Sequence, residues 1–588
     1  MKFWLVAFLF LCLNAWAEPM HAISMHGKPK YDANFTHFDY VNPDAPKGGI
    51  LKQASFGSFD TFNPFSIKGN SAPGIGLIFE TLTTASADEP FTQYGLIADK
   101  IDTPEDRSYV RFHINEKARF NNGEKITPED VVFSFEMLRD FGMPQYRYYY
   151  KDVAKVLPEK DGWIRFDFST EENRELPLIL GQMPVLSKKD WKDKDFTATS
   201  LTVPVGSGAY KLKDFALNRY VIYERDKNYW GKDLPVNRGM NNFDEIRFDI
   251  YRDTTVAVEA FKSGAYDIRV ENEAKKWATA YDGADLNAGR IKKQEFTHNL
   301  PSGMQGFVFN TRRSIFADKR VREALQYTLD FNWLNDKIFF SSYTRTKSFF
   351  DNSYLAAKGL PSAGEKALLE PFKEKLASRI FTDEILVPEL DSSNPRPQLM
   401  RALELLEQAG WTVQDGVLKN KDGIPFEFEI LLDSSGANTW QRIILPFVRN
   451  LKKIGINARV RVMDALQYKQ RLDDFDFDMF VMVWGQSLSP GNEQRYYWGS
   501  SAADQKGSYN FAGIKDETID FLIEKVVAAK TTEELQTATR ALDRVLMWGF
   551  YVIPQWYMDR TRIVYWDKFG FPDERPMHGV SIMSWWMK

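Results

Sequence analysis

Two periods of hydrophobicity run through this chain and take turns along it. Residues 108–114 (SYVRFHI) set Val110, Phe112 and Ile114 on one face, and 163–168 (WIRFDF) repeats the alternation, so both read as half-buried strands. Between them, 127–140 (TPEDVVFSFEMLRD) changes to helical spacing. Thr127 suits an N-cap, Pro128 the first helical position and Asp130 the reciprocal half of a capping box, with Val131, Phe135 and Leu138 as the buried stripe. VREALQYTLD places Val321, Leu325 and Leu329 at the same spacing. PQLMRALELLEQAGW does so with Leu399, Leu403 and Leu406, ahead of a stop at Gly410. FEFEILL and NARVRV alternate as strands, whereas FDMFVMVW is almost continuously apolar and predicts a central strand covered on both faces. The Pro- and Gly-punctuated stretch 356–397 reads as an irregular connection. The mixture predicts an α/β (α+β mixed) fold.

At 588 residues the chain exceeds the roughly 100–200 of one domain, so several compact units are expected. A net charge of −4 gives no electrostatic footprint for nucleic acid or an anionic membrane surface. Aromatic residues make up 15%, with 16 Trp, enough for some rings to line a cleft. The amino terminus sets the compartment. Lys2, an apolar run from Phe3 to Leu13 and Ala15-Trp16-Ala17 form a secretory signal peptide (residues 1–17) cleaved before Glu18. Leu11 before Cys12 does not suit a lipoprotein signal. Removal leaves 588 − 17 = 571 residues without cysteine, hence without disulfides. No later run reaches ~18 apolar residues, so a soluble protein of the Gram-negative periplasm is expected.

Catalytic and metal chemistry is scarce. The six histidines (His21, His26, His37, His113, His298, His578) include no H-E-x-x-H pair, so no metal or cofactor is expected. Neither a GxxxxGK[ST] nor a GxGxxG loop occurs. Gly485-Gln486-Ser487-Leu488-Ser489 is the nearest thing to a nucleophile elbow, but Ser489 replaces the second Gly and Pro490 blocks entry into a helix. A binding protein remains. Its candidate contacts are the loop Trp484–Ser489, the Arg495/Trp498 cluster and the polar turn QASFGSFDTFNPF.

Three ordered segments carry a resemblance: FNNGEKITPEDVVFSFE (120–136), PVGSGAYKL (204–212) and NTRRSIFADKRVREALQYTLD (310–330). They resemble signatures of the peptide-type solute-binding proteins of ABC importers, the oligopeptide- and dipeptide-binding family. HGKPKYDANFTHFDYVNPDAPKGG (26–49), GSFDTFNPFSIKG (57–69) and WGQSLSPGNEQRYYWGSSAAD (484–504) look like its YejA-type branch, associated with microcin C and peptide uptake.

The resemblance implies a two-lobed periplasmic binding protein fold. Residues 18–76, 204–305 and 552–588 would form lobe I, 77–203 a subdomain inserted in it, and 306–551 lobe II. Hinge crossings would fall near Met304–Asn310 and Val552–Tyr557. It implies a receptor, not an enzyme, that captures a peptide or modified peptide between the lobes and docks on the permease subunits of an importer. A monomer without nucleic acid is expected; a hydrolase or peptide chaperone on the same fold is the alternative. In the dipeptide and oligopeptide binders an Asp in the loop after this Trp takes the ligand's α-amino group. Here Trp484–Ser489 holds no acid, so that anchor does not carry over and a neutral, blocked terminus suits the loop better. The expected ligand contacts are Phe56, Gly57 and Ser58 on the first lobe, Met304 and Gln305 at the crossing, and Trp484, Gly485, Gln486, Ser487, Leu488, Ser489, Arg495 and Trp498 on the second. Trp484 would supply stacking surface and Arg495 a partner for the ligand carboxylate.

Overall fold

The computed structural model describes residues 19–170, 173–391 and 393–588; the expected leader lies outside them. A seven-stranded sheet organises the first lobe, in the order Ile291–Thr297, Arg560–Trp566, Ile268–Val270, Ile50–Phe56, Glu245–Tyr251, Tyr220–Arg225, Tyr210–Ala216. Its middle is parallel, because Ile50–Phe56 pairs in the same direction with both Glu245–Tyr251 and Ile268–Val270. A five-stranded sheet organises the second lobe: Asn457–Met463, Glu427–Asp433, Met479–Trp484, Met304–Phe309, Val552–Pro554. Here Glu427–Asp433 is parallel to both Asn457–Met463 and Met479–Trp484. Parallel neighbours need crossovers, and helix Ala437–Lys453 supplies one of them. The fold is a mixed α/β, two-lobed one.

The expected strand and helix around residue 130 lie in a third unit. Ala98–Asp102, Tyr109–Ile114, Trp163–Phe168 and Val153–Pro158 form an antiparallel sheet. Helix Pro128–Phe141 contributes Val131, Phe135 and Leu138 to its core, which also holds Phe112 and Phe166. The capping box is present: the Thr127 N–H donates to Asp130 Oδ2 at 3.0 Å. Helix Lys319–Gln326 stops short of Leu329, although Leu329 is buried. The irregular stretch after residue 356 forms short helices, Ala363–Leu369 and Arg379–Thr382, and buries Leu369, Ile380 and Val387 in the second lobe's core.

The crossings differ from expectation. Met304–Phe309 and Val552–Pro554 are strands inside the second sheet, paired with each other through Gly306 and Pro554. The chain changes lobes just outside them, between Thr297 and Met304 and between Tyr557 and Arg560. These passages lie side by side, since the His298 N–H donates to the Asp559 carbonyl at 3.1 Å. Asn352 clasps one of them, its amide donating to the His298 and Leu300 carbonyls at 2.9 and 3.0 Å. Gly303 ends that passage at φ +69°, where a Cβ would stand 2.1 Å from the Trp484 carbonyl oxygen; only glycine fits.

Candidate interlobe binding site

In sheets with parallel strands, ligands bind beyond the carboxyl ends of those strands. Both lobes present such an edge, and the segment leaving the second lobe's edge at Trp484 reaches His26 of the first through Ser489. On the first lobe the edge ends at Phe56, Tyr251 and Val270. Phe56 is 47% exposed, with the Arg269 guanidinium 5.7 Å from its ring centroid. Gly57 turns there at φ +100°, and Ser58 beside it is exposed. On the second lobe the edge ends at Trp484, after which Gly485 and Ser487 are exposed and Gln486 half-buried. Gln305, next to this edge, donates from its amide to Gln555 Oε1 at 2.9 Å.

Several expected contacts are corrected. Side chains alternate along Met479–Trp484, so Phe480, Met482 and Trp484 share the face that packs on the helices of the second lobe. Val483, 51% exposed, is the side chain left at the open end. The Trp484 indole is 1% exposed, 4.9 Å from Trp498, and donates its N–H to the Tyr509 carbonyl at 3.1 Å. It cannot stack on a ligand. Trp498 is equally buried, with its N–H on Gln494 Oε1 at 2.9 Å. Met304 and Leu488 are core residues too. Arg495 does not wait for a ligand carboxylate. Its Nε and Nη2 donate to Glu524 at 2.8 and 2.6 Å, and the pair holds the Glu524 carboxyl below its usual range. Gln486 is tied by Gln494, whose amide donates to Gln486 Oε1 at 2.7 Å. Ser487 accepts the Ser489 N–H at 3.1 Å and keeps its hydroxyl proton for other partners.

Sequence reasoning missed the residues that join the lobes. The Ser489 hydroxyl lies 3.1 Å from Nδ1 of His26, a first-lobe residue 463 positions away. Glu175, from the inserted unit, accepts the Asn492 N–H at 3.2 Å and sits against Gly491 and Glu493. Burial, with Arg107 and Arg174 nearby, lowers His26 to about 4. Burial and the Glu493 charge raise Glu175 to about 7. Tyr148 and Tyr496 meet edge to face beside them, 6.3 Å apart. Among the described residues His26 Nε2 is buried without a hydrogen-bond partner, so the carboxylate that orients the base of a nucleophile–base pair is not seen on this ring.

The comparisons with known proteins agree with this architecture. Residues 92–506 match the model for the middle part of the bacterial extracellular solute-binding proteins, family 5. The chain is 41% identical over 576 residues to a probable peptide-binding protein YejA of Agrobacterium fabrum, covering 96% of this chain and 93% of the relative. It is 38% identical over 591 residues to the peptidoglycan-binding protein YepA of the same organism, covering 97% and 96%. The oligopeptide-binding protein AppA of Bacillus subtilis, solved with a nonapeptide, superposes with a TM-score of 0.65 at 18% identity, over 93% of this chain and 100% of AppA. With two lobes facing each other across the ends of parallel strands, and a family model spanning most of its length, this chain belongs to the bacterial extracellular solute-binding proteins of family 5.

Proposed function

We propose that this protein is a periplasmic receptor that captures peptides with a blocked amino terminus between its lobes and delivers them to an ABC importer. Its family consists of binding proteins, and relatives carry the names of peptide and peptidoglycan binders. Export through the leader of residues 1–17, a monomeric state and lobe closure about 298–303 and 558–559 complete the reading. Modified peptides, whether microcin C-like or released from the cell wall, are the class to try first.

One observation carries the preference for a blocked terminus. The loop from Gly485 to Ser489 offers backbone groups and the exposed Ser487 hydroxyl but no carboxylate. The nearest acid in sequence, Glu493, is occupied by the Gly491 N–H at 3.0 and 3.1 Å and by the Gln494 amide at 2.9 Å. A buried ammonium here would lack its partner, whereas a formyl or acyl oxygen would find donors. An N-formyl peptide is therefore expected to bind tighter than its free-amine twin by about 1–3 kcal/mol. Ser487→Asp is expected to shrink or invert that difference. It is a cleaner variant than Gln486→Asp, which would also break the amide pair with Gln494. Calorimetry on the two peptides decides; a wild-type preference for the free amine refutes the reading. Recovery of intact peptide, one per chain, separates a receptor from a hydrolase.

A further inference from the structure

A second concavity is lined by residues of both lobes, none of which belongs to the Ser489–His26 contact. It is a groove of about 420 Å³ lined by Lys275 of the first lobe and, from the second, Trp333, Lys337, Phe340, Arg442, Leu445 and Arg449 among others. Its charge is one-sided: the lining holds four cations and no acid. Lys337 has an acid of its own, Asp336 at 2.8 Å. Among the described residues the side chains of Lys275, Arg442 and Arg449 have no carboxylate partner. Unpaired cations on one wall of a concavity are an electrostatic invitation to an anion.

The apolar part of the groove is equally unusual. Arg442, Leu445 and Arg449 follow one another at three and four residues along helix Ala437–Lys453, so they form one stripe. Such a stripe is normally either buried or polar, yet Leu445 is 51% exposed between the two arginines. Phe340 is 46% exposed and, like Ser341 after it, holds a left-handed backbone, at φ +55° and +54°. Two successive non-glycine residues in that region are costly and persist where the surroundings impose them. Here the Ser341 N–H donates to the Asn335 carbonyl at 2.7 Å, and the Asn335 side chain grips the Tyr343 N–H at 3.1 Å and carbonyl at 2.9 Å. The strained turn keeps an aromatic ring in water beside three unpaired cations. Just behind it, Arg562 of the first lobe reaches the Ser342 carbonyl at 3.5 Å, so the groove abuts the interlobe contact.

We infer that this groove is a binding site for the acidic end of the ligand, a carboxylate or phosphate carried on an apolar or planar group. The anion bridges Lys275 on one lobe to Arg442 and Arg449 on the other, while Phe340, Trp333 and Leu445 cover its carrier. Because the cations come from both lobes, an anion held between them favours the closed receptor. The inference rests on the receptor reading above and adds a charge preference to it.

The test uses calorimetry on the intact mature protein with three pentapeptides, acetylated at the amino end and amidated at the carboxyl end, identical except for a terminal Glu-Glu, Gln-Gln or phosphoserine-Ala. A few partly exposed ion pairs are together worth about tenfold, so either anionic peptide is expected to bind about tenfold tighter than the Gln-Gln peptide at low salt. Arg442→Gln with Arg449→Gln is expected to equalise the three while leaving the Gln-Gln affinity within about twofold, which also shows that the variant is folded. Lys275→Gln is expected to remove part of the preference. Equal affinities in the wild type overturn the inference, as does a preference that survives in the double variant. Unchanged binding coupled to lost uptake in cells also overturns it, and identifies a docking surface for an acidic protein instead. Failure of all three peptides to bind removes the receptor reading itself.

Discussion

Arg544→Ala is expected to destabilise the second lobe by about 3–5 kcal/mol, because it strips the partner from a carboxylate that has no access to water. Arg544 and Glu365 are 0% and 3% exposed at their side chains, with Arg544 Nε donating to Glu365 Oε2 at 3.1 Å. Glu365 is also the third residue of a capping box on helix Ala363–Leu369, where its Oε1 accepts the Ser362 N–H at 3.1 Å. Next to Arg544, Asp543 accepts the Ser348 hydroxyl at 2.6 Å and the Phe349 and Ala357 N–H groups at 2.7 and 2.8 Å. Two consecutive residues of one buried helix thus hold down the whole irregular stretch from Ser348 to Glu365. The pair is not valuable in itself, so Arg544→Met combined with Glu365→Leu is expected to recover most of the loss, less about 1 kcal/mol for the missing cap. Urea unfolding of the single and double variants measures both. A single-variant loss below about 1 kcal/mol would contradict the account.

The second large effect is on pH dependence, and it is hidden in the wild type. His26, lowered from 6.5 to about 4, and Glu175, raised from 4.5 to about 7, both lie in contacts between the lobes, so parting the lobes is expected to return each toward its ordinary value. The facing charges are Arg107, Arg174 and Glu534 for the histidine, and Glu493 and Arg495 for the glutamate. The signs oppose. As pH falls from about 7 to 4.5, Glu175 takes up a proton on closing and favours the closed receptor more and more. As pH falls from 6.5 to about 4, His26 must release a proton on closing and favours it less and less. Each displacement spans about 2.5 pH units, worth about 3 kcal/mol. Over the shared window the two nearly cancel, and the wild-type affinity is expected to be flat. Glu175→Gln leaves the histidine alone, so affinity should fall on acidification below 6.5. His26→Gln leaves the glutamate alone, so affinity should fall as pH rises toward 7. Affinities measured across this range should therefore tilt in opposite directions in the two variants. Profiles that stay flat in both variants would mean that neither group exchanges a proton on closing.

Local signals were readable and distant ones were not. The Thr127–Asp130 box and the alternation of residues 109–114 depend on neighbours in the chain, and both stand in the structure. The central place of Met479–Trp484 was legible from its apolar continuity, but that same continuity hid which residues point where. Counting by twos from Phe480 puts Trp484 in the core and leaves Val483 exposed on the other face. Arg495 was unreadable for another reason: its partner Glu524 lies 29 residues on, across a turn of unknown direction. His26 and Glu175 meet the second lobe 463 and 317 residues away, and no spacing rule reaches that far.

Strand Arg560–Trp566 lies between Ile268–Val270 and Ile291–Thr297, antiparallel to both, yet it follows the whole second lobe in the chain. A polypeptide emerging amino end first can complete the five-stranded sheet once Pro554 is out, while the seven-stranded sheet still has a gap beside Ile268. Until Arg560–Trp566 arrives, that gap exposes two rows of unpaired backbone groups, a template for pairing with another chain. Truncation before Arg560 should therefore spare the later-encoded lobe and turn the earlier-encoded one into an aggregation hazard. Strand Arg560–Trp566 would thus decide the first sheet's exposure to other chains, since only a product that includes it leaves no open edge beside Ile268.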